Sequence, residues 1–465
     1  MKPIDTDRLV KDLERFITFR SVYNPKDTGP VKDAARHCVD LLSEAGASVK
    51  TLSIGDPPEK HAPLVYARCG PADVPKGTPT VLLYAHYDVV EAGEWGEDAW
   101  KPVRKDGRLY GRGAADDKSG VMMHLGTLRA FEGKPPVPLA IVLEGEEESG
   151  GTLEDFVREH RDLFKADVIV VADSGNYKLG RPTLTTSLRG VVAVDVTVGT
   201  LKKSVHSGVF GGPVPDAFMA LVRMLAALND GKGDVAVPGL VQTPLTRDRK
   251  IEESEIREDA GVLPDVHLIG SGTIADRLHA KPSVNVVGLS GPPPMSAPLN
   301  QLTDTATARV SLRIAPTQKP QDAVAALRQF LEQPSLNPWH ADVTVKEVVS
   351  APGYLAGTPK PDYFPVAQQA MKEAYGASTG FAFTGEGGTI PLVTLLQETN
   401  PDATVLVLGC EEPRCNIHSS PESVDLGELG KMTLAEAALL DLLGKAKQSG
   451  DYEPATAPRT EPSMS

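Results

Sequence analysis

The sequence predicts an α/β protein: a domain with a central mixed sheet flanked by helices, interrupted by an inserted α+β domain. Three observations lead there. At 465 residues the chain exceeds what one hydrophobic core usually serves. Short apolar strands alternate with helical segments in both terminal parts. Between them the texture changes to a two-residue alternation, the pattern of half-buried strands with one open face. The boundaries read from these changes are 1–188 and 352–447 for the two parts of the main domain and 189–351 for the insert. A polar, Pro-rich tail, 448–465, is expected to be disordered.

Asp5 or Thr6 can cap a first helix, with Leu9, Leu13, Phe16 and Ile17 on one face. A second helix is expected from about 31 to 45, with Gly46 as its stop. Strands near 63–69 and 80–86 follow, the second running into His86 and then Asp88. Residues two apart on an extended chain point the same way. His86 and Asp88 can therefore project together from the carboxyl edge of the sheet, where open α/β sheets bind ligands. A loop rich in Gly, Trp and charge leads to Gly111, Arg112 and Gly113, then to Asp116, Asp117 and Lys118 at the start of a helix. An aspartate pair there is also an ordinary helix cap.

A strand at 138–143 ends in Glu144-Gly145-Glu146-Glu147-Glu148, a helix follows at about 152–163, and a strand at 168–172 ends in Asp173. Three apolar strands thus finish in acid or histidine, which is best explained by one shared site. In the insert, strands at 191–198, 284–289, 307–314 and 342–348 accompany helices near 216–228 and 321–332, while 230–283 gives no assignable pattern. The apolar run 405–409 then leads to His418, and a helix from about 424 to 446 closes the fold.

A net charge of −14 argues against nucleic acid or an anionic membrane as partner. The amino end lacks the apolar core of a secretory signal, and no apolar run approaches the ~20 residues of a spanning helix. Four scattered cysteines predict a reduced, cytoplasmic protein. Cys410 and Cys415 lie close to His418 but match no common zinc spacing, so ordinary thiols are expected.

Collected, the chemical candidates are His86, Asp88, Asp116, Glu147, Glu148, Asp173 and His418. Two histidines and several carboxylates, without cysteine, suit a pair of zinc-like ions better than one structural zinc. Two ions ~3.5–4 Å apart need a bridging carboxylate and activate a water between them. One carboxylate should remain as base.

In this order the motifs resemble those of the M20 metallopeptidases, the family of carboxypeptidase G, succinyl-diaminopimelate desuccinylase and the carnosinase-type dipeptidases. The resemblance covers nearly the whole chain. AHYD resembles the first metal motif. GRGAADDK resembles the motif whose first aspartate, here Asp116, bridges both ions and precedes a cis peptide. EGEEESG resembles the motif in which Glu147 is the general base and Glu148 a ligand. Asp173 matches the acidic ligand of the other ion, and HSSPE gives His418. The resemblance thus implies one ion on His86, Asp116 and Asp173, and the other on Asp116, Glu148 and His418. Zinc is expected, with cobalt or manganese as alternatives. Asp88 is grouped with Glu147 in the catalytic set.

The resemblance further implies that the insert is a lid and dimerisation domain of a homodimer. VHSGVFGG resembles the HSGxFGG stretch of the dipeptidases, which makes His206 a substrate contact reaching the partner subunit's site. SLRIAP offers Arg313 to hold a substrate carboxylate bidentately, and Asn300 is a lesser contact. GEGGTIP resembles REGGSIP, with Gly385 in place of the arginine and Thr389 in place of the serine. The implied activity is hydrolysis of the amide bond of dipeptides or C-terminal amino acids. The alternative is an N-acyl amino acid deacylase using the same chemistry. A non-catalytic metal-holding scaffold is disfavoured, because holding metal does not require Glu147.

Overall fold

The computed structural model describes residues 1–71, 74–337, 339–357 and 359–445; the tail expected to be disordered lies outside them. The chain divides into two compact units. The first comprises Met1–Thr185, Ala356–Thr384 and the chain from Leu395 onward; the second comprises Thr186–Leu355 and Gly385–Thr394.

The first unit is built on a mixed sheet. Its strands lie side by side in the order Ser48–Leu52, Leu64–Cys69, Leu139–Glu144, Val81–His86, Val168–Val171, Thr404–Val407 and Thr183–Leu188. The central four are parallel and the flanking pairs antiparallel. Parallel strands covered on both faces need continuous apolar runs. Val81–His86, Leu139–Glu144 and Val168–Val171 are accordingly buried throughout. The helices Thr6–Ile17, Gly29–Glu44, Lys118–Ala130, Phe364–Tyr375 and Leu426–Lys445 contribute to the same core. Asp5 starts the first of them, its carboxylate accepting the Arg8 N–H at 3.0 Å.

Two strands carry little sequence signal. Ser48–Leu52 is a mostly exposed edge strand, SVKTL. Thr183–Leu188, TLTTSL, is polar yet buried: Thr183 Oγ1 donates to the Arg181 carbonyl and Thr186 Oγ1 to that of Arg247, while Ser187 Oγ is buried without a hydrogen bond. The single helix expected at 152–163 is two pieces, Leu153–Glu159 and the turn Arg161–Phe164. They are separated by His160, whose backbone leaves the helical region at φ −121°, ψ 41°.

The second unit is a four-stranded antiparallel sheet in the order Ser283–Ser290, Thr305–Ile314, Gly190–Gly199, Asp342–Ala351. Burial alternates residue by residue along Thr305–Ile314. Val192, Val194, Val196, Val310 and Leu312 form a core with the helices Ala217–Ala226 and Pro320–Leu331. Within 230–283 the structure forms a short helix, Glu253–Asp259, and a turn, Asp276–Ala280. The stretch around Thr389 joins this unit through hydrogen bonds: Thr389 Oγ1 donates to the Arg189 carbonyl, and Arg313 Nη1 donates to Thr389 Oγ1 at 3.0 Å.

Candidate active site

The carboxyl ends of the parallel strands in the first unit bring His86, Asp116, Glu147, Glu148, Asp173 and His418 together. His86 terminates its strand, with Glu144 as its register partner on the neighbouring strand. The chain then turns so that Glu147 and Glu148 face His86, while Asp173 follows the adjacent strand. Asp116 enters from the loop before the helix Lys118–Ala130, and the peptide bond Asp116–Asp117 is cis, as the resemblance implies.

Asp116 is the centre of the arrangement. Its Oδ1 lies 3.0 Å from His86 Nε2, and its Oδ2 lies 2.9 Å from His418 Nε2. His418 Nε2 is also 3.0 Å from Glu148 Oε2, and His86 Nε2 is 3.7 Å from Asp173 Oδ1. One carboxylate thus offers one oxygen to each of two histidine–acid sets. Two ligands on a tetrahedral zinc, each at 2.0–2.1 Å, stand roughly 3.3 Å apart, so these spacings suit shared ions. The fit has an independent sign. His86 Nε2 is fully buried and makes no hydrogen bond, although two carboxylates face it. The donor set is imidazole and carboxylate without thiolate, which suits catalytic rather than structural zinc.

The charges follow this geometry. Burial alone would raise the Asp116 carboxyl, but the imidazoles of His418 and His86 close beside it overcome this and hold the group well below the usual range. His418 is pushed up to about 10 by its hydrogen bonds to Asp116 and Glu148. Burial, then the charge of Asp173, pushes the Glu147 carboxyl well up. A nearby pair of divalent ions would oppose that shift by favouring the carboxylate form.

A supporting layer fixes these groups. Asp88 does not join the ring of ligand atoms. Its backbone carbonyl lies 3.2 Å and its Oδ1 3.4 Å from His86 Nδ1, which sets the tautomer that leaves Nε2 for metal. Its two carboxylate oxygens also accept the N–H groups of Glu147 and Glu148, at 3.2 and 3.1 Å. The two-residue spacing placed Asp88 beside His86, but the turn after the strand carries its carboxylate behind the imidazole. These contacts suit Asp88 to positioning His86 and the 147–148 turn.

Glu422, the last residue of HSSPE, does the same for Asp116. It accepts N–H bonds from Gly113, Ala115 and Asp116 and an ion pair from Arg112 at 2.7 Å. Its role had no sequence signal beyond being an acid near His418. Glu411 is a further acid absent from the sequence-derived set. One of its carboxylate oxygens lies within 4.8 Å of ligand atoms of both Asp116 and Asp173. Its signal was present: the apolar run 405–409 is a fourth strand that runs into acids, Glu411 and Glu412.

The four residues expected to contact substrate lie on the second unit, in two pairs. His206 is exposed, and its Nδ1 accepts the Gly208 N–H at 3.0 Å; the Asn300 carbonyl accepts the neighbouring Ser207 N–H at 2.9 Å. Arg313 and Thr389 are the second pair, hydrogen-bonded at 3.0 Å. The buried Arg189 lies near them, lowered to about 10 by burial and by the charge of Arg313. Gly385 has a packing reason. A Cβ there would stand 2.5 Å from Ser187 Oγ and 2.7 Å from His279 Cβ, so an arginine has no room. Cys410 and Cys415 are free thiols buried in the first unit.

A family model described as peptidase family M20/M25/M40 matches residues 82–441. The cysteinylglycine-S-conjugate dipeptidase of Corynebacterium striatum is 34% identical over 450 residues, 94% of this chain and 96% of its own. The Beta-Ala-His dipeptidase of Mus musculus is 28% identical over 426 residues, 83% of this chain and 82% of its own. Among solved structures, human carnosine dipeptidase 1 superposes with a TM-score of 0.79 at 24% identity, covering 95% of this chain and 97% of its own; that likeness speaks to fold.

Proposed function

The chain belongs to peptidase family M20/M25/M40, and we propose that it is a two-metal dipeptidase of this family. The observation that carries the chemistry is Asp116, whose two oxygens face two different histidines. The similarity along nearly the full length to dipeptidases supports dipeptides as the substrate class. In this reading His86, Asp116 and Asp173 hold one ion and Asp116, Glu148 and His418 the other. Zinc is the first choice and cobalt or manganese the alternatives.

Bound there, the ions would acidify a water between them and polarise the scissile carbonyl. The remaining work falls to the chain. Glu147 takes a proton from that water on its carboxylate and returns it to the departing amine. Asp88 keeps Glu147 and Glu148 in place through their N–H groups and holds His86 in its ligating tautomer. On the second unit, Arg313 holds the substrate's terminal carboxylate, and Thr389 fixes Arg313 by accepting one of its N–H groups. Asn300 and His206 are further contacts. His206 acts across a homodimer in which residues 189–351 serve as lid and dimerisation domain, set between catalytic parts 1–188 and 352–447. Four free cysteines fit a reducing cytoplasm, and the charge of −14 disfavours nucleic acid or membrane as partner.

The deciding experiment is a substrate panel on the metal-loaded protein: dipeptides against N-acetyl and N-succinyl amino acids. Dipeptides should be cleaved with the higher kcat/KM. A preference for the acylated amino acids would replace the dipeptidase reading with the deacylase one.

A further inference from the structure

We infer that Glu411 binds the free ammonium group at the substrate's amino end, and so makes the site select dipeptides over N-acylated amino acids. The inference rests on the dipeptidase reading above and names a specificity residue within it.

The chain places Glu411 beside Asp173 by backbone packing. The strand Thr404–Val407 runs parallel to Val168–Val171 with Val407 opposite Val171. The pairing continues past the strands: the Leu408 N–H donates to the Val171 carbonyl at 3.0 Å, the Asn176 N–H donates to the Glu411 carbonyl at 2.8 Å, and Gly175 bridges to Glu411. A Cβ at Gly175 would stand 2.0 Å from the Glu411 carbonyl oxygen, so only glycine lets the two segments close up here. In this register Gly409 lies opposite Asp173 and Glu411 two residues further on. Glu411 therefore projects on the same side as Asp173, at the same edge of the sheet. The outcome is a carboxylate oxygen within 4.8 Å of ligand atoms of Asp116 and Asp173. The buried, unpartnered His86 Nε2 is aimed at the same two acids.

Charge and reach select the ligand. Asp116, Asp173 and Glu411 each bring a carboxylate oxygen within 4.8 Å of the others. A cationic group on the substrate is attracted to such a cluster; a neutral acyl group is not. In a dipeptide the ammonium nitrogen is only about 2.5 Å from the scissile carbonyl carbon. A carboxylate that binds it at hydrogen-bond distance must therefore stand at the rim of the metal set, where Glu411 is.

The test compares Ala-Ala with N-propionyl-Ala, which has the same skeleton without the ammonium. For Glu411→Gln, isosteric and neutral, kcat/KM for Ala-Ala should fall by roughly 10- to 100-fold, mostly through KM. The ratio of the two substrates should collapse with it. Calorimetry should report the same loss of affinity for a phosphinic isostere of Ala-Ala and little change for its desamino form. Metal analysis should still find two ions per chain. Glu411→Asp, which keeps the charge one methylene short, should fall between. An unchanged substrate ratio overturns the inference, as does the loss of one ion, which would make Glu411 a ligand instead. If the unaltered protein cleaves Ala-Ala and only the ratio stays fixed, this inference alone fails. If it prefers N-propionyl-Ala, the dipeptidase reading fails with it.

Discussion

The metal-facing acids of the first unit and the polar residues of the second differ in how they are held. His86, Asp116, Glu148 and Asp173 stand at the ends of buried strands or on loops tied to them. Each of their side chains is at most 13% exposed, whereas His418, which faces two of these acids, is 56% exposed. Three of the four are also gripped from behind: His86 by Asp88, Asp116 by Glu422, and Glu148, with its turn, by Asp88 again. His206 and Asn300 are exposed, and Arg313 and Thr389 are only half-buried. Their described bonds are few and mostly to backbone: the Gly208 N–H to His206, the Ser207 N–H to the Asn300 carbonyl, Thr389 to the Arg189 carbonyl, and Arg313 to Thr389. In the proposed reading, the chemistry that needs sub-ångström placement uses the buried, hydrogen-bonded groups, and recognition uses the more exposed ones.

The comparison is broken most severely by removing the ions. Exhaustive chelation should abolish hydrolysis, and zinc, cobalt or manganese should restore it. Full activity in protein shown by elemental analysis to hold no metal would end the two-metal reading. Next comes the base. Glu147→Gln should keep both ions and lose ~10²–10⁴ in kcat; near-normal turnover would give Glu147 another role.

On the second unit, His206→Ala should cost roughly 10²–10³ in kcat if it stabilises the developing oxyanion. Mixing it with Glu147→Gln under subunit exchange should restore activity towards half that of a wild-type dimer, because one site of each heterodimer is intact. If heterodimers form and remain dead, His206 works within its own subunit or not at all. Asp88→Asn sharpens the comparison from the rigid side. It keeps the shape but weakens the grip on His86 and the 147–148 turn, so metal affinity measured by competition with a chelator should drop 10- to 100-fold. The smallest effect belongs to Arg313→Lys. Lysine cannot make a bidentate pair, so KM should rise about tenfold with kcat and metal content nearly unchanged.

By itself the sequence determined the α/β class, the half-buried strands of the insert with one open face, and the polar groups that terminate buried strands. The physical reason is local. A short apolar run such as VLLYAH, too short for a helix of its own, reads as a strand buried on both faces, and a histidine or acid at its end then lies at the sheet edge. The alternation in TARVSLRI likewise fixes a strand with one open face. The tertiary structure alone decided which edge groups meet and which stand behind. Asp88 is two residues from His86, yet it turns away to hold the imidazole from the far side. Glu422 is more than 300 residues from the loop whose N–H groups it gathers. Glu411 reaches the site through the register of two parallel strands more than 200 residues apart, and Gly385 is glycine because Ser187 and His279 fill the space an arginine would need. Periodicity reports which way a side chain leaves its own element. It carries no information about what another part of the chain brings to meet it, and that is settled only by packing.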